Sequence, residues 1–350
     1  MGQESSAPQG GKALVSGANG YIGMWTVQTL LERRCSVRGT VRSVDKGKYL
    51  SDYFSKAGFG DKFEVVVVED FSKEGAFDEA VKGVDAILHT ASPFHWGAKN
   101  PQVPAVGGTS GVLNSALKYA PNVKRIVITS SCAALINTGL SKPTVFTEEG
   151  WNETAVKEAE EQGDKTHPGV IYCAAKVLAE RFAWKFYEEH KSEVGWGITT
   201  ILPAFVVGPP IQDVSSPTSL NQSLQMWYDN VLSGSAKKAT LAQANTWVDV
   251  RDIALAHVLA MENKATGGER IIAAAGVCLL QDWVETANAL QPNPLPSCKL
   301  SVGFPETLEG ERVYHMSYSK AKEERILGIK FRTMEETTRA IFEEFAKRGW

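Results

Sequence analysis

Residues 17–23 of the 350-residue chain are Gly17-Ala18-Asn19-Gly20-Tyr21-Ile22-Gly23, with a glycine at every third position. A short apolar run, residues 12–16, precedes them, and residues 22–33 follow with helical character. Glycines three residues apart allow a tight turn and let backbone N–H groups approach a pyrophosphate at the helix N-terminus. Because the chain contains 31 glycines, the spacing alone is weak evidence for such a loop. The strand before it and the helix after it favour a dinucleotide-binding loop over a plain structural turn.

Short apolar runs alternate with helical segments through the first half of the chain. We predict strands at residues 12–16, 37–41, 63–68, 84–89, 125–129 and 198–202, and helices at 22–33, 73–82, 104–119 and 170–190. Strands that are separated by helices of this length need crossover connections, which make the strands parallel. The pattern therefore predicts an α/β fold with a Rossmann-type doubly wound parallel sheet.

The chain changes character after Gly208, where prolines and serines interrupt the alternation. We predict a disordered polar tail at residues 1–11, a dinucleotide-binding Rossmann domain at 12–207 and a smaller C-terminal α/β lobe, for the substrate, at 208–350. Residues 247–262 are strongly helical, and we expect them to return to the Rossmann part.

The composition argues against several classes of protein. There are 37 Lys and Arg residues against 40 Asp and Glu, a formal net charge of −3, so the chain lacks the basic surface that nucleic acids need. No apolar stretch approaches the roughly 18 residues of a membrane span. Five widely spaced cysteines without a Cys-x-x-Cys pair favour a reducing compartment, the cytoplasm, and the six histidines show no metal-ligand spacing. Gly2 and Ser6 match the myristoylation pattern, and the sequence leaves that modification open.

The end of the second predicted strand indicates which dinucleotide is bound. An NAD site needs an acidic residue there to hold the ribose 2′-hydroxyl. This strand instead ends at Arg42, followed by Lys46 and Lys48, and Asp45 is the only acid nearby. A guanidinium fork suits a 2′-phosphate, so these cations favour NADP(H) over the alternative that they are solvated loop residues.

A Tyr-x-x-x-Lys pair indicates acid–base chemistry. Tyr172 and Lys176 lie four residues apart on a predicted helix and so share a face. A phenol with its usual pKa of about 10 exchanges protons poorly at neutral pH, and a neighbouring ammonium should lower that pKa. Ser131, which follows the strand at 125–129, completes a Ser/Tyr/Lys set. Such pairs are common by chance on helices, and this one gains weight from the glycine loop and the serine.

Together these motifs resemble the extended short-chain dehydrogenases/reductases. The resemblance rests on the glycine loop, the Ser/Tyr/Lys set and the segment Leu202-Pro203-Ala204-Phe205-Val206-Val207-Gly208-Pro209. Three further segments resemble the dihydroflavonol-reductase-like subgroup, and within it the fungal NADPH-dependent aldehyde and ketone reductases of the methylglyoxal and 3-methylbutanal type. They are His89-Thr90-Ala91-Ser92-Pro93-Phe94, Thr147-Glu148-Glu149-Gly150-Trp151-Asn152 and Val248-Asp249-Val250-Arg251-Asp252. The match extends over about residues 12–262 and is diffuse beyond them.

The resemblance implies a role for each matching residue. Ser131 would donate a hydrogen bond to the substrate carbonyl, Tyr172 would donate the proton, and Lys176 would hold the ribose hydroxyls of the nicotinamide half. The pyrophosphate of NADPH/NADP+ would contact the glycine loop, Gly17, Ala18, Asn19, Gly20, Tyr21, Ile22 and Gly23. The 2′-phosphate would contact Arg42 and Lys46, and the adenine would contact Asp70 and Phe71. The remaining parts of the cofactor would contact Thr90, Ala91, Pro203 and Val206. Phe94 and Trp227 are the implied substrate-pocket residues.

We therefore expect a hydride transfer to an aldehyde or ketone that gives an alcohol, in a monomer or homodimer. In the plant flavonoid reductases, an Asn five residues after the catalytic serine faces the substrate's ring hydroxyls. Ile136 stands at that position here and favours a less polar carbonyl compound. Two alternatives remain open: a nucleotide-sugar epimerase or dehydratase, which shares the fold and the Ser/Tyr/Lys set, and a non-enzymatic redox sensor that binds dinucleotide. Such sensors tend to lose the Tyr/Lys pair.

Overall fold

The computed structural model describes residues 10–92, 102–137, 142–296, 298–312 and 314–350, with the backbone alone at 102–105. The strands in these residues are β1 (Lys12–Ser16), β2 (Ser36–Val41), β3 (Phe63–Val67), β4 (Ala86–His89), β5 (Arg125–Thr129), β6 (Thr144–Phe146), β7 (Gly197–Pro203), β8 (Phe205–Val207), β9 (Ala244–Asp249), β10 (Glu269–Ala273), β11 (Gly276–Leu279) and β12 (Met316–Tyr318). The α-helices are α1 (Tyr21–Glu32), α2 (Val44–Lys56), α3 (Gln102–Tyr119), α4 (Glu153–Gln162), α5 (Pro168–His190), α6 (Gln222–Val231), α7 (Lys238–Leu241), α8 (Val250–Glu262), α9 (Leu280–Ala289), α10 (Ala321–Ile326) and α11 (Met334–Arg348).

Seven of these strands form one parallel sheet in the order β3-β2-β1-β4-β5-β7-β10. β1 pairs with β2 on one side, where Val15 lies beside Gly39, and with β4 on the other, where Val15 lies beside Leu88. Because the chain leaves β1 in one direction and returns past it to β4, the carboxyl ends of β1 and β4 border a crevice, the usual ligand site of such sheets. The predicted Rossmann-type doubly wound sheet is confirmed.

Helices cover this sheet on both faces, and β1 shows how the sequence specifies that arrangement. Ala13 and Val15 pack into one apolar cluster, in which α1 lies along α8, whereas Leu14 packs into a second cluster, in which α3 lies along α5. Successive side chains of a strand point to opposite faces, so an uninterrupted apolar run is buried on both. All four residues of β4 and all seven of β7 are buried accordingly.

The helix predicted at residues 73–82 is wrong. These residues form successive hydrogen-bonded turns instead, and Gly75, with a φ of +75°, lies outside the right-handed helical region. Phe77, Ala80 and Val81 are nevertheless fully buried against the sheet. Their spacing imitates a helix because they anchor successive turns on the same surface.

Residues 247–262 do not form one helix either. β9 ends at Asp249, whose carboxylate accepts a hydrogen bond from the backbone N–H of Arg251 at 2.8 Å and caps α8. β9 belongs to a small sheet of order β11-β9-β8, whereas α8 packs along α1. β10 then joins the main sheet beyond β7, so the strand predicted at 198–202 is not the last of that sheet.

The part of the chain after β8 contributes an aromatic core, which is continuous with the apolar cluster that contains Ala13 and Val15. The Trp227 ring lies edge-on to Trp283, with ring centres 5.9 Å apart, and Trp283 is likewise edge-on to Trp247 at 4.7 Å. None of the helices described is long and apolar enough to cross a membrane. Across the same residues, no group of three His, Cys, Asp or Glu side chains is placed to hold a metal ion.

Candidate active site

A cavity of about 1070 Å³ opens at the carboxyl ends of the parallel strands. It begins at the glycine loop between β1 and α1, passes the ends of β4, β5 and β7, and ends against β9 and β12. The predicted site residues that line it are Gly17, Asn19, Gly20, Tyr21, Ile22, Gly23, Arg42, Lys46, Phe71, Thr90, Ala91, Ser131, Tyr172, Lys176, Pro203 and Val206. The fold thus brings residues from well-separated segments into one cavity.

Glycine is required at two positions of the loop. Gly17 has a φ of +65°, and a Cβ there would lie 2.9 Å from the Cα of Ala91. A Cβ on Gly23 would lie 2.3 Å from the carbonyl oxygen of Gly17. α1 then begins at Tyr21 with neither an acidic residue in its first turn nor a side-chain cap, so its N–H groups and dipole are suited to an anion. The loop therefore fits the pyrophosphate of a dinucleotide.

The wall between β1 and β4 is held by the hydroxyl and carbonyl of Ser16. Thr90 Oγ1 donates to the Ser16 carbonyl at 2.7 Å, and the Ala91 N–H donates to Ser16 Oγ at 3.2 Å. Ser16 Oγ also lies 2.8 Å from Nδ1 of the buried His89. These bonds fix the chain after β4 against the glycine loop, so the crevice that the topology creates has a defined shape.

Two predicted cofactor residues do not line the cavity. Ala18 is buried, and its N–H donates to the Thr40 carbonyl at 3.0 Å. Asp70 is exposed, and its carboxylate accepts hydrogen bonds from the Ser72 hydroxyl at 2.6 Å and the Ser72 N–H at 2.9 Å, which hold its pKa below the usual value. The position of these side chains does not support their predicted contacts with the cofactor.

Arg42 and Lys46 line the cavity beside the end of β2. The exposed Arg42 guanidinium has its carbon 5.8 Å from the centre of the Phe71 ring, which lines the same wall. Lys46 Nζ instead forms an ion pair with Asp213 at 3.2 Å, between two side chains that are each almost half exposed. Arg42 is therefore the better placed of the two for a phosphate, since Lys46 must first leave a carboxylate.

Ser131 and Tyr172 meet at the end of β5. Ser131 follows the strand and caps a short 3-10 helix, Cys132–Ala134, by accepting the Ala133 N–H at 3.1 Å. Tyr172 lies on the second turn of α5, and its hydroxyl forms a hydrogen bond with the Ser131 side chain. Burial raises the pKa of Tyr172, and the bond with Ser131 opposes that rise. The phenol is therefore a protonated donor at neutral pH.

Lys176 lies one turn beyond Tyr172, with Nζ 5.9 Å from the centre of the phenol ring. Burial lowers the pKa of Lys176 to about 8, which Glu180 partly opposes. The sequence led us to expect that the ammonium lowers the pKa of Tyr172. In the structure the cost of burying a charge outweighs any such effect and raises the pKa of the phenol.

The far end of the cavity is lined by residues that the sequence did not indicate. Met226 comes from α6, Asn245 and Thr246 from β9, and Met316 and Tyr318 from β12. No local spacing connects these three elements, which are brought together only by the packing of the C-terminal part. The one available signal was the single apolar Met226 on the polar side of α6.

Trp227, one of the two predicted substrate-pocket residues, does not line the cavity. Trp227 is completely buried in the aromatic core, edge-on to Trp283 and Phe342, so its side chain faces away from the cavity that its neighbour Met226 lines. We correct that prediction, since one residue on a helix turns the side chain by about 100°. Phe94 lies outside the residues that the structure describes. Ile136 does line the cavity.

The doubly wound sheet, its glycine loop and the Ser/Tyr/Lys set define a Rossmann-type protein of the extended short-chain dehydrogenase/reductase class. The chain belongs to the NAD dependent epimerase/dehydratase family, whose model matches residues 13–275. The resemblance that the motifs indicated is thereby confirmed.

Fungal reductases are similar to this chain over nearly its whole length. Ketoreductase azaE of Aspergillus niger is 35% identical over 336 residues, which cover 92% of this chain and 94% of that protein. NADPH-dependent methylglyoxal reductase GRE2 of Saccharomyces cerevisiae is 33% identical over 334 residues, again 92% and 94% of the two chains. The crystal structure of yeast methylglyoxal/isovaleraldehyde reductase Gre2 complexed with NADPH matches with a TM-score of 0.82 at 30% identity, over 97% of this chain and 99% of that one.

Proposed function

We propose that this protein is an NADPH-dependent reductase that transfers a hydride to an aldehyde or ketone and so forms an alcohol. The observation that carries the proposal is a single cavity with the glycine loop and Arg42 at one end and Ser131, Tyr172 and Lys176 further along. The names of the similar proteins, a ketoreductase and an NADPH-dependent methylglyoxal reductase, support it.

The residues present fit this cofactor, because the loop leaves no room for a Cβ at Gly17 or Gly23 and an exposed guanidinium lines the same wall. When bound, NADPH supplies a hydride from its nicotinamide ring. Ser131 donates a hydrogen bond to the carbonyl oxygen as negative charge develops there. Tyr172 delivers the proton that completes the alcohol, and its phenolate is then reprotonated from solvent. The Lys176 ammonium holds the ribose hydroxyls and stabilises that phenolate.

The far end of the cavity supports a substrate of low polarity. Met226 and Met316 contribute apolar side chains to this end, as Ile136 does to the cavity, beside the polar Asn245 and Thr246. The Tyr318 hydroxyl lies 3.7 Å from the Met316 sulfur. An apolar group gains free energy when it leaves water for such a surface, at about 25 cal/mol per Å². We infer that the preferred carbonyl compounds carry an apolar substituent.

A panel of aldehydes and ketones, followed through the loss of NADPH absorbance, tests the proposal directly. We expect net oxidation of NADPH with apolar carbonyl compounds and much slower oxidation of NADH, because Arg42 stands where an NAD site needs an acid. A panel that oxidises neither cofactor would contradict the proposal.

The nucleotide-sugar epimerase or dehydratase has less support than a reductase. An epimerase keeps its NAD bound and regenerates it in each cycle, so added carbonyl compounds cause no net oxidation. The measurement that separates the two is the nucleotide released from the purified protein by denaturation, together with the substrate panel. Bound NAD and no turnover of added NADPH would favour the epimerase.

A further inference from the structure

One carboxylate is buried between the helix that carries Tyr172 and the main sheet. Glu180 of α5 is only 2% exposed and lies one turn beyond Lys176. Its oxygens accept hydrogen bonds from Ser130 Oγ at 2.5 Å and Thr200 Oγ1 at 2.9 Å. Hydrogen bonds of this kind fix the orientation of a carboxylate and stabilise its charged form.

Arg270 of β10 binds the same carboxylate from the sheet side. Its Nε donates to Glu180 at 2.7 Å, and its Nη1 donates to the Gly150 carbonyl at 2.9 Å, while the guanidinium stacks 3.7 Å above the centre of the Trp151 ring. Arg270 is thus held in place independently of Glu180. A buried ion pair with this many partners is built into the fold rather than formed by chance at the surface.

Lys176 faces this carboxylate from the preceding turn, and both line a small pocket beneath the cavity. The titratable groups around Lys176 in the described residues are Tyr172 and Glu180 of α5, His89 of β4 and, behind Glu180, Arg270, with the thiols of Cys132 and Cys173 beside Tyr172. Burial lowers the pKa of His89 to about 4, so that ring is neutral. Burial raises the pKa of both thiols, so they are neutral as well. Glu180 is therefore the negative charge that Lys176 meets among these groups.

We propose that Glu180 is a positioning residue of the active site, whose carboxylate keeps Lys176 in the ammonium form while leaving its N–H donors to the ligand. The inference rests on the proposed function, because it assigns Glu180 to the same catalytic set. The carboxylate acts through its field, since its oxygens are already engaged by Ser130, Thr200 and Arg270. Without it, burial would deprotonate Lys176 near neutral pH, and the lysine would lose the charge that stabilises the phenolate.

The test is the titration of Lys176 in the protein without cofactor, compared between wild type and Glu180→Gln. Trace acetylation with acetic anhydride over a range of pH, quantified by mass spectrometry of the peptide that contains Lys176, reports the fraction of free amine. In the wild type the midpoint should lie at about 8. In Glu180→Gln it should fall by roughly one to two pH units. An unchanged midpoint would overturn the proposal.

Two further variants separate the charge from the structure. Thr200→Val removes a hydrogen bond to the same carboxylate but keeps the charge, so the midpoint should stay at the wild-type value. If Glu180→Gln does not fold because Arg270 is left unpaired, Arg270→Gln tests the same claim by shifting the titration midpoint of Lys176 in the opposite direction. The carboxylate then faces Lys176 without its guanidinium, and the midpoint should rise. A midpoint that falls or does not move in Arg270→Gln would contradict the proposal.

Turnover gives a second measurement. The value of kcat/KM for NADPH reports ionisations of the free enzyme, so its fall at high pH should begin at a lower pH in Glu180→Gln, by the same one to two units. The labelling experiment needs neither NADPH nor substrate. If the protein reduced no carbonyl compound, the proposed function would fail while the labelling still decided the role of Glu180.

Discussion

The two ends of the cavity are lined by different kinds of groups, mainly backbone at one end and side chains at the other. At the end beside β1 and β2, the wall consists mainly of backbone groups of the glycine loop and of the nearby, exposed Arg42, with Phe71, Thr90 and Ala91 beside them. At the other end it consists of side chains such as Met226 and Tyr318, from elements that are far apart in sequence. Backbone geometry at the first end suits a ligand that never changes, whereas single side chains at the second can be exchanged to suit different substrates. Ser131 and Tyr172 lie between the two.

The largest loss of turnover should come from a substitution of Tyr172, which lies between the two ends. Tyr172→Phe removes the proton donor and leaves both walls intact, so kcat should fall by roughly 10²–10⁴-fold, the usual contribution of general acid catalysis. The dissociation constant of NADPH, measured by fluorescence titration, should stay close to the wild-type value. The matched control is Tyr318→Phe, which removes a buried hydroxyl at the far end whose partners are the sulfurs of Met316 and Cys132. A comparable loss of kcat in both variants would contradict the assignment of Tyr172.

The next effect belongs to the cofactor end. An Arg–phosphate contact is charge-assisted, and its loss costs about 1.5–3 kcal/mol, so Arg42→Ala should raise the KM for NADPH roughly ten- to a hundredfold. The KM for NADH, which has no 2′-phosphate, should hardly change. Arg38 of β2 is the nearest other arginine in the sequence before Arg42. It is not available to bind the 2′-phosphate, because its guanidinium donates to the carbonyls of Ala80 at 2.8 Å and Lys82 at 2.7 Å.

The control for this variant is Lys48→Ala, which removes an exposed cation from α2, the helix that follows Arg42, outside the cavity. It should leave both values of KM unchanged, since surface charges at a distance are screened by salt. If Arg42→Ala impaired NADPH and NADH equally, Arg42 would not be the residue that binds the 2′-phosphate.

The two ends also differ in how far the sequence predicted them. The glycine loop and the Tyr172/Lys176 pair are local patterns, whose chemistry requires particular residues at fixed spacing, and both line the cavity. Except for β10, the strands of the main sheet were likewise predictable from their apolar runs, which are buried on both faces in β4 and β7 and only partly buried in the edge strand β3. These features depend on residues within a few positions of one another.

The substrate end depends on packing between distant segments, which local sequence patterns do not predict. Met226 and Trp227 are adjacent, and only the direction in which α6 presents its faces decides which one lines the cavity. The apolar spacing of residues 73–82 was compatible with a helix, whereas the segment forms successive turns in which Gly75 has a positive φ. Tyr318 reaches the cavity from β12, which pairs with the short strand β6, and no local sequence pattern predicts that pairing.

Met226→Ala is a test of the substrate end. Met226 is an exposed apolar side chain at the cavity wall, and its truncation removes apolar surface worth about 0.8 kcal/mol per methylene group. The value of kcat/KM should fall roughly three- to tenfold for carbonyl compounds with a bulky apolar substituent and change little for small ones, with the KM for NADPH unaffected. Gln225→Ala, at the preceding position of α6 and outside the cavity lining, is the control. A loss shared equally by large and small substrates would place Met226 outside substrate recognition.

The smallest expected change in the KM for NADPH concerns the ion pair between Lys46 and Asp213 at the cofactor end. It tests whether these side chains, as well as the backbone of the glycine loop, affect cofactor binding. Their 3.2 Å contact joins two half-exposed groups, and such pairs contribute only about 0–1 kcal/mol. Asp213→Asn frees Lys46 and removes a negative charge from beside the phosphate site, so the KM for NADPH should fall by a factor of roughly two to five. The KM for NADH should not change, and the gain should vanish in the Lys46→Ala/Asp213→Asn double variant when it is compared with Lys46→Ala alone. A gain that persisted without Lys46 would show that Asp213 acts on the phosphate directly, and an unchanged KM would leave Arg42 as the sole side chain that tunes this end.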